Sequence, residues 1–82
     1  MVIAVNHSIS DPAEFWNLLS SNPAVPEGFK VRSVLPGTNP SQAICIWEAP
    51  DQQALEGLVG QFVGHCSHNT FMPVNAEQAI GL

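Results

Sequence analysis

The sequence predicts an α+β fold whose elements follow the order β-α-β-β-α-β. Four short segments have the β-branched or alternating apolar residues of strands, and two others combine an acidic cap with apolar residues at helical spacing. Proline and glycine separate these segments. In this order each β-α-β unit makes a right-handed crossover, so we expect both helices on one face of a four-stranded antiparallel sheet. The 82 residues suffice for a single domain, residues 1–82.

The strands are predicted at residues 1–7, 29–35, 42–49 and 69–74. Strict alternation in the second strand would place Lys30 and Arg32 on one face and Val31 and Leu35 on the other. Pro73 restricts the last strand to an edge of the sheet, or to a position whose N–H is not needed in the ladder.

The two helices are predicted from their first residues. Asp11 is in an N-cap position, Pro12 follows at the first helical position, and Glu14 completes the spacing of a capping box. Asp51 caps the second helix. The apolar stripe of that helix is formed by Leu55, Leu58, Val59 and Phe62. Between the first helix and the second strand, two prolines make residues 22–28 a loop.

The third strand and the charge content together predict a homodimer. Ile44 and Ile46 fall on one face of this strand and Cys45 and Trp47 on the other, as in a strand that is covered on both sides. Charged residues are 11% of the chain, against about 25% in ordinary soluble domains. A second copy packed on the open face of the sheet would explain both observations.

Composition also excludes several partners and cofactors. The net charge is −5 and the only cations are Lys30 and Arg32, so neither nucleic acid nor an anionic membrane surface is an expected partner. The apolar runs are too short to span a membrane and there is no secretory signal, so a cytoplasmic location is expected. Cys45 and Cys66 are then expected as reduced thiols. No glycine-rich loop matches a nucleotide motif, and no cofactor is expected.

Two segments carry a family resemblance. "ICIWEAPDQQALEGLV" is a buried strand followed directly by a capped helix, and "NTFMPVNAEQAIGL" forms the end of the chain. With the element order, they resemble the dimeric α/β-barrel superfamily of ferredoxin-like proteins, in particular small bacterial members. The resemblance implies a ferredoxin-like sandwich that dimerises through its sheets. The superfamily includes cofactor-independent monooxygenases, haem enzymes, isomerase-like enzymes and nickel-binding proteins, so the fold does not decide the function.

Polar residues near the ends of three strands are expected to meet at one rim of the sheet. We expect the first and third strands to run parallel at the centre, with the second and fourth antiparallel at the edges. The end of the first strand would then lie near the end of the third and the start of the fourth. The rim would contain Asn6, His7, Trp47, Glu48, His65, His68 and Asn69.

These residues predict a binding site, with two alternatives. The leading hypothesis is a small apolar or aromatic ligand between sheet and helices. The residues expected to contact it are Asn6, Trp16, Trp47, His68 and Asn69. An enzyme of the cofactor-independent monooxygenase or isomerase type is the first alternative, with His7 as general base and Glu48 orienting it. A nickel or zinc site formed by His65, His68 and His7 is the second, to which Glu48 could add an oxygen ligand.

Ordinary structural roles compete with each of these roles. His65 and His68 can be exposed residues of a turn near a helix end, where a partly positive ring suits the helix dipole. Trp16 and Trp47 can be core or interface aromatics. Cys45 is expected as a small buried apolar side chain. Cys66, by contrast, is expected to be more exposed.

Overall fold

The computed structural model describes residues 1–21 and 24–82. It contains six elements in the predicted order: β1 (Val2–Ile9), α1 (Pro12–Ser20), β2 (Lys30–Pro36), β3 (Gln42–Glu48), α2 (Gln52–Val63) and β4 (Ser67–Pro73). Each predicted strand lies within two residues of its observed bounds. The first two residues of the predicted loop, 22 and 23, lie outside the described residues.

The strands form one sheet in the order β2-β3-β1-β4, and every neighbouring pair is antiparallel. With two helices, this is a ferredoxin-like α+β fold. The expectation that the first and third strands run parallel is wrong. The tight β2–β3 connection reverses the chain, whereas the α1 crossover leaves β1 and β2 in the same direction with β3 between them, so β3 is antiparallel to both.

Both helices begin as the sequence predicts. A side-chain oxygen of Asp11 accepts a hydrogen bond from the backbone N–H of Glu14 at 3.2 Å, and Asp51 accepts one from the N–H of Ala54 at 2.7 Å. Each cap satisfies one of the backbone donors that a helix start leaves free. Pro12 occupies the first position of α1, where its missing N–H costs nothing.

Alternation along the strands divides the sheet into two faces. On the helix-covered face, Ile3, Val5 and His7 of β1 are buried. The core that they share with the helices also contains Ile9, Phe15, Ala43, Cys45, Trp47, Ala49, Leu55, Val59, Val63 and Cys66. The opposite face, here called the open face, is uncovered in a single copy of the chain.

A β-bulge changes the faces of β2. The register with β3 shifts between Val31 and Ser33, so Leu35 pairs with Ile44 on the open face. The prediction that Leu35 lies opposite Arg32 is therefore wrong, because one extra residue reverses the alternation that follows it. Arg32 forms an ion pair with Glu48 at 3.5 Å, at the end of β3 away from Ile44.

Candidate functional site

His7 is the one buried polar or charged side chain of the core among the described residues, at 3% exposure. It lies in the middle strand β1, paired with Ala43 of β3 on one side and Asn69 of β4 on the other. Its ring packs edge-to-face with that of Phe15 of α1, with the ring centres 5.1 Å apart. A polar ring in this position needs partners for both of its nitrogens.

The first partner of His7 is Asn69, whose side-chain oxygen lies 2.5 Å from His7 Nδ1. The same oxygen accepts a hydrogen bond from the hydroxyl of Ser67 at 3.0 Å. A carbonyl oxygen only accepts, so this arrangement places the proton of a neutral His7 on Nδ1. The expectation that Asn69 reaches His7 is confirmed by this contact.

The second partner is Cys45 of β3, whose Sγ lies 3.2 Å from His7 Nε2. With the proton on Nδ1, Nε2 is the acceptor and the thiol of Cys45 donates. The result is a chain of hydrogen bonds from Cys45 through His7 to Asn69 that crosses three adjacent strands. Sequence spacing gave no sign of the Cys45 contact, because it depends on the antiparallel register of β1 and β3.

Burial favours the neutral forms of both central groups. Burial lowers the pKa of His7 below 6.5, and the hydrogen bond that His7 donates to Asn69 offsets part of this effect. Burial also raises the pKa of the Cys45 thiol to about 11. A neutral imidazole and a neutral thiol are therefore the forms that this core accommodates near neutral pH.

A small cavity of about 20 Å³ lies beside His7 and Cys45, a volume for about one water molecule. Its lining residues are His7, Phe15, Leu19, Cys45, Trp47, Leu58, Val59, Phe62 and Val63. A wider crevice of about 200 Å³ is also bordered by Trp47, Leu58 and Phe62. We call it the Trp47 crevice; it is lined by Ala24, Trp47, Leu58, Gln61 and Phe62.

Trp47 belongs to both spaces, because its side chain lines the cavity and the crevice alike. It is 7% exposed, and its indole N–H is buried with no hydrogen-bond acceptor among the residues that the structure describes. The only other tryptophan, Trp16, donates its indole N–H to the carbonyl of Pro40 at 3.1 Å. The indole N–H of Trp16 therefore has an acceptor, whereas that of Trp47 has none among the described residues.

The structure corrects the predicted rim. Antiparallel pairing puts Glu48 opposite Val2 and Trp47 opposite Ile3, at the other end of β1 from His7. The predicted pairing of His7 with Glu48 is wrong, because it required parallel strands. Glu48 instead meets Arg32 at the edge of the open face.

Asn6 and His68 lie on the open face and not beside His7. His68 pairs with Ser8 and Asn6 pairs with Thr70, so their side chains project opposite to that of His7. Asn6 lines a separate crevice of about 410 Å³ with residues of β2 and β3. The prediction that both share a rim with His7 is wrong, since neighbouring residues of one strand face opposite sides.

The three histidines do not meet. His65 lies on the surface after α2, where its Nε2 is 3.6 Å from a carboxylate oxygen of Glu14, while His7 is buried and His68 is on the open face. Across residues 1–21 and 24–82, no group of three or more His, Cys, Asp or Glu side chains is arranged to hold a metal ion. The same described part of the chain contains no helix with the length and apolar character of a membrane span.

Two further predictions concern Trp16 and Cys66. Trp16 packs edge-to-face on Phe15 at 5.0 Å and lines neither the cavity nor the Trp47 crevice.

Cys66 is 1% exposed, so the expectation of a more exposed thiol is wrong. It lies between the end of α2 and β4, where its carbonyl accepts the backbone N–H groups of Ser10 and Asp11 and ties this segment to the start of α1. Neither cysteine is in a disulfide.

Comparisons of the chain with protein-family models, with curated proteins and with solved structures gave no match. The candidate site therefore depends on geometry alone. Leu58 and Phe62 were predicted as part of the apolar stripe of α2. No feature of the sequence separates these two residues, which border the crevice, from Leu55, which is fully buried.

Proposed function

We propose that this chain is a homodimeric member of the dimeric α/β-barrel superfamily that binds a small, largely apolar or aromatic molecule in the Trp47 crevice. The observation that carries the proposal is the crevice itself, between β3 and α2. Its walls are Trp47, Leu58 and Phe62, with Ala24 and Gln61 completing the lining. For scale, an apolar protein cavity of about 150 Å³ holds a benzene molecule.

Charge and polarity favour a neutral ligand with an apolar ring. None of the described residues that line the Trp47 crevice is charged, and three of them are large apolar side chains. Small-molecule sites typically combine apolar walls with a few polar groups that fix the orientation. Here the amide of Gln61 is the polar group of the lining.

Binding is better supported than general-base catalysis by His7. Both ring nitrogens of His7 already have protein partners, Asn69 and Cys45. The adjoining cavity of about 20 Å³ is too small for an aromatic substrate. A base must reach the proton that it removes, directly or through one water. In our proposal His7 instead holds the three adjacent strands β3, β1 and β4 in register.

The binding proposal is tested with α-methylstyrene, a single-ring hydrocarbon without a hydrogen-bond acceptor. We expect saturable binding, followed by changes in backbone amide resonances. Leu58→Glu should weaken binding at least 10-fold, because it places a carboxylate in an apolar wall. Gln53→Glu adds the same charge at an exposed position of α2 outside the crevice and should leave binding unchanged. Absence of saturable binding to the native protein, or equal effects of the two variants, would overturn the proposal.

The dimer proposal is supported by the open face of the sheet. Leu35, Ile44 and Met72 are 54%, 44% and 61% exposed there, and Leu35 pairs directly with Ile44. The ion pair between Arg32 and Glu48 lies at the other end of β3 from Ile44. A second copy related by two-fold symmetry would present the same apolar side chains and both charges, which suits a self-complementary interface.

Oligomeric state tests the dimer directly. We expect the mass of a dimer in light scattering at micromolar concentration, and a monomer for Ile44→Asp, because the carboxylate would be buried without a partner. Gln53→Asp makes the same charge change on α2, away from the open face, and should remain dimeric. A native protein with the mass of a monomer at this concentration would refute the proposal.

A further inference from the structure

Two neighbouring rows of side chains on α2 border the two spaces beside Trp47. Leu58 and Phe62 lie one helical turn apart, are half-buried, and line both the cavity and the Trp47 crevice. Val59 and Val63 form the next row; they are buried, and they line the cavity but not the crevice. The cavity therefore lies deeper in the core than the crevice, and the two spaces have three lining residues in common.

The cavity has room for a small group, and its character is apolar. Its volume of about 20 Å³ is that of roughly one water molecule. The surface that faces it is wholly apolar, and the polar atoms of His7 and Cys45 are hydrogen-bonded to each other and to Asn69. A buried water needs two or more polar partners. An alkyl group therefore suits this space better than a water or a hydroxyl group.

We propose that the cavity and the Trp47 crevice form one binding site, and that its ligand is an uncharged aromatic compound with a short alkyl chain. The ring lies in the crevice, and the chain extends past Leu58 and Phe62 into the cavity toward Val63. This inference rests on the proposed function and adds the shape of the ligand to it. Filling the cavity removes apolar surface of the ligand from water and adds van der Waals contacts that an empty cavity lacks.

The side chains that border both spaces suit this arrangement. Leu58 and Phe62 pack on the edge of the core and are not enclosed in it, unlike Val59 and Val63. Side chains with exposed surface change rotamer within nanoseconds. In our proposal a rotamer change of Leu58 or Phe62 joins the cavity to the crevice, and the backbone of α2 stays in place.

The test compares toluene with n-propylbenzene, which have the same ring and differ by two methylene groups. Dissociation constants are measured by amide resonance titration for the native protein, Val63→Ile and Val31→Ile. We expect the native protein to bind n-propylbenzene about 10-fold more tightly than toluene, the usual effect of burying two methylene groups. Val63→Ile adds one carbon to the cavity wall and should reduce this ratio to about 3-fold or less. Val31→Ile is the matched control on β2; it lines neither space and should leave the ratio unchanged.

The outcomes separate the two proposals. If the probes bind and Val63→Ile leaves the ratio unchanged, the alkyl-chain inference is overturned while the binding site stands. If neither probe binds the native protein, both proposals are overturned. Should Val63→Ile not fold, the native protein still decides. Nuclear Overhauser effects should connect the terminal methyl group of n-propylbenzene to the methyl groups of Val59 and Val63, and its ring protons to Leu58. Ring signals to Leu58 without any signal from the alkyl chain to Val59 or Val63 would contradict the inference.

Discussion

The two faces of the sheet use the same strands for different purposes. On the helix-covered face, β1 contributes Val5 and His7 to a core in which every polar atom of His7 is bonded. On the open face the neighbouring residue Asn6 is exposed, next to the apolar side chains of Leu35 and Ile44. The comparison shows that adjacent residues of β1 lie in different surroundings, because successive side chains of a strand project to opposite faces.

The polar groups of the two faces illustrate this difference. His68 and Asn69 are adjacent in β4, yet only Asn69 contacts His7, because successive strand residues project to opposite faces. The covered face therefore holds the hydrogen-bonded chain and the Trp47 crevice. The open face holds the surface on which we propose that a second copy packs.

The largest expected difference between the faces is thiol reactivity. The pKa of Cys45 is raised from 9.0 to about 11 by burial, which alone lowers the thiolate fraction about 100-fold. Two variants, each with a single thiol, are compared. Cys66→Ala keeps Cys45 alone, whereas Ile44→Cys with both native cysteines changed to alanine has its thiol one residue away on the open face. We expect Cys45 to react with a water-soluble disulfide reagent at least 100-fold more slowly than the thiol at position 44, measured by absorbance in dilute protein. Equal rates would show that the covered face opens readily.

Core truncation should separate the faces by several kcal/mol. Phe15 is fully buried against His7 and Trp16, so Phe15→Ala should lower the free energy of unfolding by about 3–5 kcal/mol. Ile44→Ala on the open face should lower that of the monomer by less than about 1 kcal/mol. Urea unfolding in dilute solution measures both. Similar losses would mean that the open face is packed within a single copy.

The pH dependence of stability should depend on His7. Because burial lowers its pKa below 6.5, the unfolded chain binds more protons than the folded chain below that pH. The contribution of a neutral His7 to the free energy of unfolding is therefore fully present above pH 6.5. It is lost as the pH falls toward the lowered pKa of His7. His7→Gln should remove this decline and lower stability at pH 8 by about 1–3 kcal/mol, since the bonds to Asn69 and Cys45 change.

The control for this prediction is His68→Gln on the open face, which should retain the native decline. Urea unfolding at several pH values between 5 and 8 provides the measurement. An unchanged decline in His7→Gln would show that His7 is not the group responsible.

The smallest expected effect is that of Asn6 on stability. Asn6 is exposed and lies opposite Ile44 in the β1–β3 ladder, so Asn6→Ala should change the unfolding free energy of the monomer by less than about 0.5 kcal/mol. The adjacent His7→Gln variant is its comparison in the same experiment. A loss at Asn6 as large as that at His7 would contradict the division of β1 into two faces.

The sequence predicted the local features of the fold and missed those that depend on strand direction. Asp11 and Asp51 predicted the starts of both helices, because an N-cap is a hydrogen bond between residues that are close together in the sequence. The site required the register between distant strands, and the parallel arrangement that we expected paired His7 with Glu48. The true partner, Cys45, has no sequence signature, and the bulge before Ser33 that brings Leu35 to the open face has none either.

The location of a bound aromatic molecule tests the central claim most directly. Nuclear Overhauser effects between α-methylstyrene and the methyl and ring protons of the native protein report which side chains lie within contact of the ligand. The structure predicts signals to Leu58 and Phe62, on the helix-covered side, and none to Leu35 or Ile44. Signals to Leu35 and Ile44 without those to Leu58 and Phe62 would place the ligand on the open face and contradict the account.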